Sequence, residues 1–287
     1  MHFRLYPLRL TFLAREPLSF PPGNAGNRLR GAFGAILHKL ACSPDCQDAR
    51  TCAQRGSCLY SVMFEPSMTQ AGTSPSGLVD RPRPFVFRSS HLDGLNIAPG
   101  ETFYFDFHWF DLRRPALDIV IRAFAQLVHE AELVDVHGGD APLRVSLRPP
   151  GDPVSHVIVR FETPTELKAA GQAVERPEFG VLASRVRDRI STLRALYDDG
   201  PLKLDFREFG ERAARVRMTR CDIRRVELAR RSSRTGQIHP LGGFVGEAEY
   251  EGDLTEFIPY LRAAHWTGVG RQTAWGKGAL AVTNGGD

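Results

Sequence analysis

Lysine is nearly missing from this 287-residue chain: only four of its 37 basic residues are Lys, and the remaining 33 are Arg. Guanidinium forks match phosphate oxygens in pairs and stack on bases, so the bias permits nucleic-acid binding, although a GC-rich coding sequence produces the same bias. A long hydrophobic run is also missing. No window approaches 18 unbroken apolar residues, and the opening MHFRLYPLRLTFLAREPLSF is interrupted by Arg4, Arg9 and Arg15. That pattern argues against a membrane span and a secretory signal, so a cytoplasmic protein with no membrane partner is expected. Neither sign of charge dominates, the net charge being +4, so bulk charge names no partner. Cysteine is scarce, five in all, but four of the five fall between positions 42 and 58.

What is there suffices for a substantial core. Hydrophobic residues make up 42% of the chain, and the length suits two domains of ordinary size. HFRLYPLRLTFLAR alternates as a half-buried strand does, and FPPGNAGN then reads as a loop. From Asn27, a plausible cap, Leu29, Phe33, Ile36, Leu37 and Leu40 share one helical face, leaving Gly31, Gly34, Ala35 and His38 on the far side. PFVFRS and ETFYFDFHWFD read as strands, and residues 115–134 as a helix. A Pro/Gly break in PLRVSLRPPGDP places a boundary near Gly151.

The second half repeats this material. VSHVIVRFETP reads as a strand and FGVLASRVRDRISTLRALY as a helix, with Leu182, Val186, Ile190, Leu193 and Tyr197 apolar and Arg185, Arg187, Arg189 and Arg194 polar. Further strands follow in the Arg-rich stretch and in GFVGEAEYEG, then a helix LTEFIPYLRAAH and a last strand. The expected class is α+β: each half, 1–150 and 151–287, mixes strands and helices in a way that suits one of two tandem ferredoxin-like (βαββαβ, RRM-like) domains, with a Cys-rich insertion, 42–58, in the first, though short-range pattern alone does not fix that topology.

Two stretches suit a polynucleotide backbone. Between Arg212 and Arg234 nine Arg stand against Asp222 and Glu227, and Arg215 and Arg217 alternate with Val216 and Met218, as on one face of a strand. Near the end, GVGRQTAWGKG sets Gly268, Gly270, Gly276 and Gly278 around Arg271 and Lys277. Glycines let backbone N–H groups come close to phosphate oxygens, though a tight turn before an edge strand uses them equally well. A nucleotide P-loop is excluded, since no Ser or Thr follows the Lys of Gly276-Lys277-Gly278.

HPLGGFVGEAEYEGDLTEFIPYLRAAHWTGVGRQTAWGKGALAV closely resembles the C-terminal region of RAMP-superfamily endoribonucleases that process CRISPR precursor transcripts. Gly270, Arg271, Thr273, Trp275, Gly276 and Gly278 match that family's Gly-basic-x-Thr-x-aromatic-Gly-x-Gly loop. RRSSRTGQ is similar to the segment before the family's G-x-x-G strand, and VRFETPTELKAAGQ to the start of its second domain. The likeness covers roughly the last 135 residues and is looser over NRLRGAFGAILHKLAC and LYSVMFEP. It implies two ferredoxin-like domains with repeat RNA bound across them and a metal-independent cut, in which a 2′-hydroxyl attacks the adjacent phosphate to leave 2′,3′-cyclic phosphate and 5′-hydroxyl ends. The alternative is a non-cutting RAMP subunit that holds CRISPR RNA in an effector complex. In either case the partners are repeat RNA and other CRISPR subunits.

The same resemblance nominates site residues. Family members place a His on or just after the first helix, where His38 stands, with Arg30 and Lys39 near enough to stabilise charge. His265, directly before the loop, is the second proton-transfer candidate, although the family's frequent His within the loop falls at Gly268 here. RNA contacts are expected from Arg215, Arg217, Arg231, Ser232, Ser233, Arg234 and the loop residues Gly268, Gly270, Arg271, Thr273, Gly276, Lys277 and Gly278. Independently of the resemblance, Cys42, Cys46, Cys52 and Cys58, spaced C-x3-C-x5-C-x5-C, read as thiolate ligands, because disulfides are disfavoured in the cytoplasm. A structural zinc is the first reading, an iron–sulfur cluster the second and four unligated thiols the third.

Overall fold

In a computed structural model the described residues are 1–43, 46, 51–66, 81–126, 130–231 and 238–284. The first strand, β1 (His2–Ala14), buries Phe3, Leu5, Leu8, Leu10 and Phe12 and leaves Arg4 partly and Arg9 well exposed. Helix α1 (Ala25–Ala41) and the short helix α2 (Leu59–Phe64) follow. Next come β2 (Phe85–Arg88), β3 (Thr102–Trp109), helix α3 (Leu117–Ala125) and β4 (Ala131–His137). The strands pair antiparallel in the order β2-β3-β1-β4, with the short strand Leu143–Ser146 also joined to β1. First and third strands at the centre of a βαββαβ chain make this a ferredoxin-like sheet.

Its core is aromatic. Phe33 of α1 stacks on Phe124 of α3 with ring centroids 4.6 Å apart, and Phe107 of β3 meets both rings edge-on at 5.5 and 5.0 Å. Such pairs add about 0.5–1.5 kcal/mol each beyond their buried area. Phe85, Phe87 and Phe105 complete the cluster and are fully buried.

The second unit repeats the plan with β5 (His156–Thr165), α4 (Phe179–Tyr197), α5 (Phe206–Ala213), β6 (Arg217–Val226), β7 (Gly243–Glu251), α6 (Ile258–Thr267) and β8 (Leu280–Asn284). The order β6-β7-β5-β8 is again that of a ferredoxin-like sheet, so the chain carries two such folds in tandem, the cysteines lying between α1 and β2 of the first. The compact units are residues 4–143 with 195–200, and residues 1–3 with 144–194 and 201–287. Among the described residues no helix is long and apolar enough to cross a membrane.

Three local expectations change. The single helix expected over 115–134 is two elements: α3 ends at Ala125, and Ala131, Leu133 and Val136 pair with Ala14, Phe12 and Leu10 of β1. Completing the sheet outweighs helical spacing there. Helix α1 begins two residues before Asn27, and the N–H of Ala25 donates to Asp93 Oδ1 at 2.8 Å, so a distant carboxylate satisfies its first turn. On α4 the apolar stripe is as read, but Arg187 and Arg194 are buried rather than solvated. Arg187 donates to the Phe206 carbonyl at 2.7 Å with its guanidinium 4.3 Å from the Phe206 ring, because α5 covers that side of α4.

Candidate active site and thiol cluster

Helix α6 ends at Thr267, and the following loop is tied back to the end of β5. Val269 N–H donates to Gly278 O at 2.9 Å, Gly278 N–H to Pro164 O at 3.1 Å, and Arg271 N–H to Glu166 O at 3.2 Å. Close backbone approach sets two of the glycines. A Cβ on Gly278 (φ 69°) would lie 1.9 Å from Val269 O, and one on Gly270 (φ 80°) 2.3 Å from Glu166 O. These glycines therefore answer first to the loop's own packing. Thr273 and Lys277 are buried. Arg271 stays half-exposed with its guanidinium 3.0 Å from Glu166 Oε1. His265 lies exposed on the last turn of α6, its ring edge-on to Trp266.

The other histidine candidate has different company. Gly31 and Ala35 are exposed, but Gly34 faces α2, where an added Cβ would be 2.9 Å from the Phe64 ring. His38, one turn on, meets Tyr60 of α2 edge-on with centroids 4.8 Å apart. The small-residue strip read as an approach for RNA is thus partly the seat of α2. At its end the imidazole of His38 and the thiols of Cys42 and Cys46 bring their ligand atoms within 4.8 Å of one another. Cys42 Sγ is 3.6 Å from Cys58 Sγ, and the Cys46 thiol hydrogen-bonds with those of Cys42 and Cys52. All four cysteines are free thiols. Burial and then the Cys58 thiol push the Cys42 thiol up to about 12, and Cys46 is raised by burial and by Cys52. Cys42 and Cys46 therefore hold their protons until a cation displaces them, and the cluster's donor set of thiols and imidazole can bind a metal ion.

Comparison with known proteins identifies a domain. The family model AF_1859_N, described as an N-terminal domain, matches residues 3–147, and that of the CRISPR-associated endoribonuclease Cas6 matches residues 159–280. Residues 159–280 are a CRISPR-associated endoribonuclease Cas6 domain. No curated protein matches by sequence. Among solved structures, Thermus thermophilus Cas6 superposes with a TM-score of 0.57 at 17% identity, covering 99% of each chain. A product complex of that Cas6 gives 0.59 at 17% identity over 97% of this chain and all of the other. A second Cas6, in a substrate mimic complex, gives 0.55 at 17% identity over 98% of this chain and all of its own. At these identities the structures speak for the shared fold.

The remaining RNA-binding residues expected of a Cas6 chain are dispersed. Arg30 lies over the Phe64 ring at 5.2 Å, and Lys39 is exposed beside Arg15 and Glu132. Arg215 is exposed just before β6, and Arg217 pairs with Glu251 of β7 at 3.3 Å. Arg231 ends the short strand Ala229–Arg231, which pairs with Ile238–Pro240, whereas Ser232, Ser233 and Arg234 lie outside the described residues. Sequence reading missed two partners, Glu166 of Arg271 and Tyr60 of His38. It also passed over the one signal that links His38 to the thiols, its position one helical turn before Cys42.

Proposed function

We propose that this chain binds CRISPR repeat RNA and cuts it into guide units without a catalytic metal. The observation that carries the reading is the Cas6 match over β5 to β8, which takes in the loop bearing Arg271 and, just before it, the exposed His265. The reaction needs a base to take the 2′-hydroxyl proton, an acid to protonate the departing 5′-oxygen, and donors for the charge that builds on the phosphorane. It leaves a 2′,3′-cyclic phosphate and a 5′-hydroxyl. His38 and His265 are the proton carriers of this proposal, and Arg271, Arg215 and Arg217 the phosphate contacts. Zinc, held by the thiols, has a structural duty. The similar structures bound to a product and to a substrate mimic, and a histidine-to-alanine mutant of one of those Cas6 proteins, support the reading.

Labelled repeat RNA incubated with the protein in EDTA tests it. A single cut ending in a cyclic phosphate is expected, and His265→Ala should slow single-turnover cleavage by about 10² to 10⁴ with affinity retained. Cleavage that appears only when Mg²⁺ is added would exclude the metal-free route. Tight binding with no cleavage under either condition would leave a non-cutting subunit of an effector complex.

A further inference from the structure

We propose that the open face of the first sheet carries a stacking platform for an unpaired base of the repeat RNA, built from Tyr104 with Arg9 and His91. The inference rests on the repeat-RNA reading and adds a contact to a base to its phosphate contacts.

Phe105 and Phe107 of β3 are buried against α1 and α3, so Tyr104, between Phe103 and Phe105, projects from the other face and is 38% exposed. Two planar groups flank its ring. From the β2 edge, in the turn Ser90–Leu92, the His91 imidazole stacks on it with centroids 4.5 Å apart and planes 27° from parallel. From β1, on the other side of β3, the Arg9 guanidinium stands 4.2 Å from the ring centre. Both partners are held in place. His91 Nε2 donates to the Tyr104 carbonyl at 2.8 Å, and Arg9 forks onto Asp106 at 2.7 and 3.1 Å. The exposed His91 and the half-exposed Arg9 therefore end a preformed stack, on which a further flat ring gains contact at little ordering cost.

The surrounding charges decide what that ring belongs to. Arg9 is already matched by Asp106, its register partner, and Asp135 stands exposed across β1 from Tyr104, since Thr11 pairs with both. A phosphate would meet those two carboxylates as like charges. A base is neutral and offers a π-face, and its amino or imino N–H groups can donate to Asp135. Bases inside a hairpin stem already stack on their neighbours, so the ligand is an unpaired nucleotide. His38 rides on α1, against the buried face of the same sheet, so this contact is separate from the proton carrier.

Filter binding of repeat RNA to the full-length protein provides the test, using Tyr104→Leu, Tyr104→Phe and a set of repeat RNAs each lacking one base. Tyr104→Leu keeps an apolar side chain but removes the π-face. It should weaken binding about 5- to 150-fold with the salt slope unchanged, and Tyr104→Phe should restore wild-type affinity. One abasic position outside the paired stem should cost wild type a similar factor and cost Tyr104→Leu nothing further. Losses that add at every abasic position would exclude a base on this stack. A slope flattened by about 0.7 in Tyr104→Leu would mark a phosphate contact and overturn the platform too. A wild type that cuts repeat RNA while Tyr104→Leu binds it equally tightly would keep the endoribonuclease and leave this face to a protein partner. A wild type that neither binds nor cuts repeat RNA would remove both readings.

Discussion

Asp111 shows how one buried carboxylate shapes the pH response. It is 5% exposed, and its Oδ1 accepts from the N–H groups of Arg113 and Arg114 at 3.0 Å each. Burial nevertheless wins and raises its pKa above the ordinary 3.8, against the lowering by those hydrogen bonds and by the two Arg charges. As pH rises above 3.8 the unfolded chain releases this proton first, so the contribution of Asp111 to stability falls through the window up to its folded pKa and stays lower above it. Asp111→Asn keeps an acceptor oxygen and loses the titration. Relative to wild type it should gain stability between pH 4 and pH 7, checked by denaturant midpoints across that range. Parallel profiles would show that Asp111 is not desolvated.

Among the elements, the Gly-rich loop makes the strongest demand on its sequence. Gly278→Ala places a side chain at φ 69° against the Val269 carbonyl. The backbone strain alone costs about 1–3 kcal/mol, and the clash adds to it or drives the loop away from β5. A lowered denaturation midpoint together with weaker repeat-RNA binding is expected, and a midpoint equal to wild type would mean that the loop is not held as described. The loop's presence was legible in the sequence, as was the mixture of strands and helices in each half, because alternating strands and helical stripes record which face is buried; the βαββαβ order came from the family resemblance. Its internal use of glycine was not legible, since spacing alone does not tell a phosphate from the carbonyl of Glu166. The boundary between α3 and β4 was hidden for a related reason: pairing with β1 is a long-range cause. Arg187 reads as solvated on a helical wheel because the covering helix α5 lies 19 residues on, at Phe206. The histidine and the cysteines were each legible as chemistry, but their meeting at the junction of α1 and α2 depends on how that junction folds.

For the molecule as a whole, arginine content overstates the positive charge offered to RNA. Arg4 pairs with Asp198 and Asp199, Arg9 with Asp106, Arg15 with Glu132 and Arg212 with Glu256. Across the second sheet Arg160 pairs with Glu247, Arg220 with Glu249 and Arg217 with Glu251. The exposed pairs across the second sheet contribute only about 0–1 kcal/mol each, so a phosphate can displace the carboxylate at little cost, but the displaced Glu then stands beside the phosphate as a like charge. Neutralising one phosphate of single-stranded RNA changes the slope of log affinity against log salt by about 0.7. Two fully engaged Arg would therefore contribute about 1.4. With Arg217 shared with Glu251, Arg215→Ala and Arg217→Ala together should flatten the slope by a value nearer the single-phosphate figure. Glu251→Gln should act in the opposite direction, tightening RNA binding and steepening the slope, because Arg217 is released to phosphate and a like charge is removed. Filter-binding titrations at several salt concentrations measure both variants. An unchanged slope in the double Arg variant would place the RNA path away from β6, and weaker binding by Glu251→Gln would mean that the carboxylate holds Arg217 in its RNA-binding position instead of competing for it.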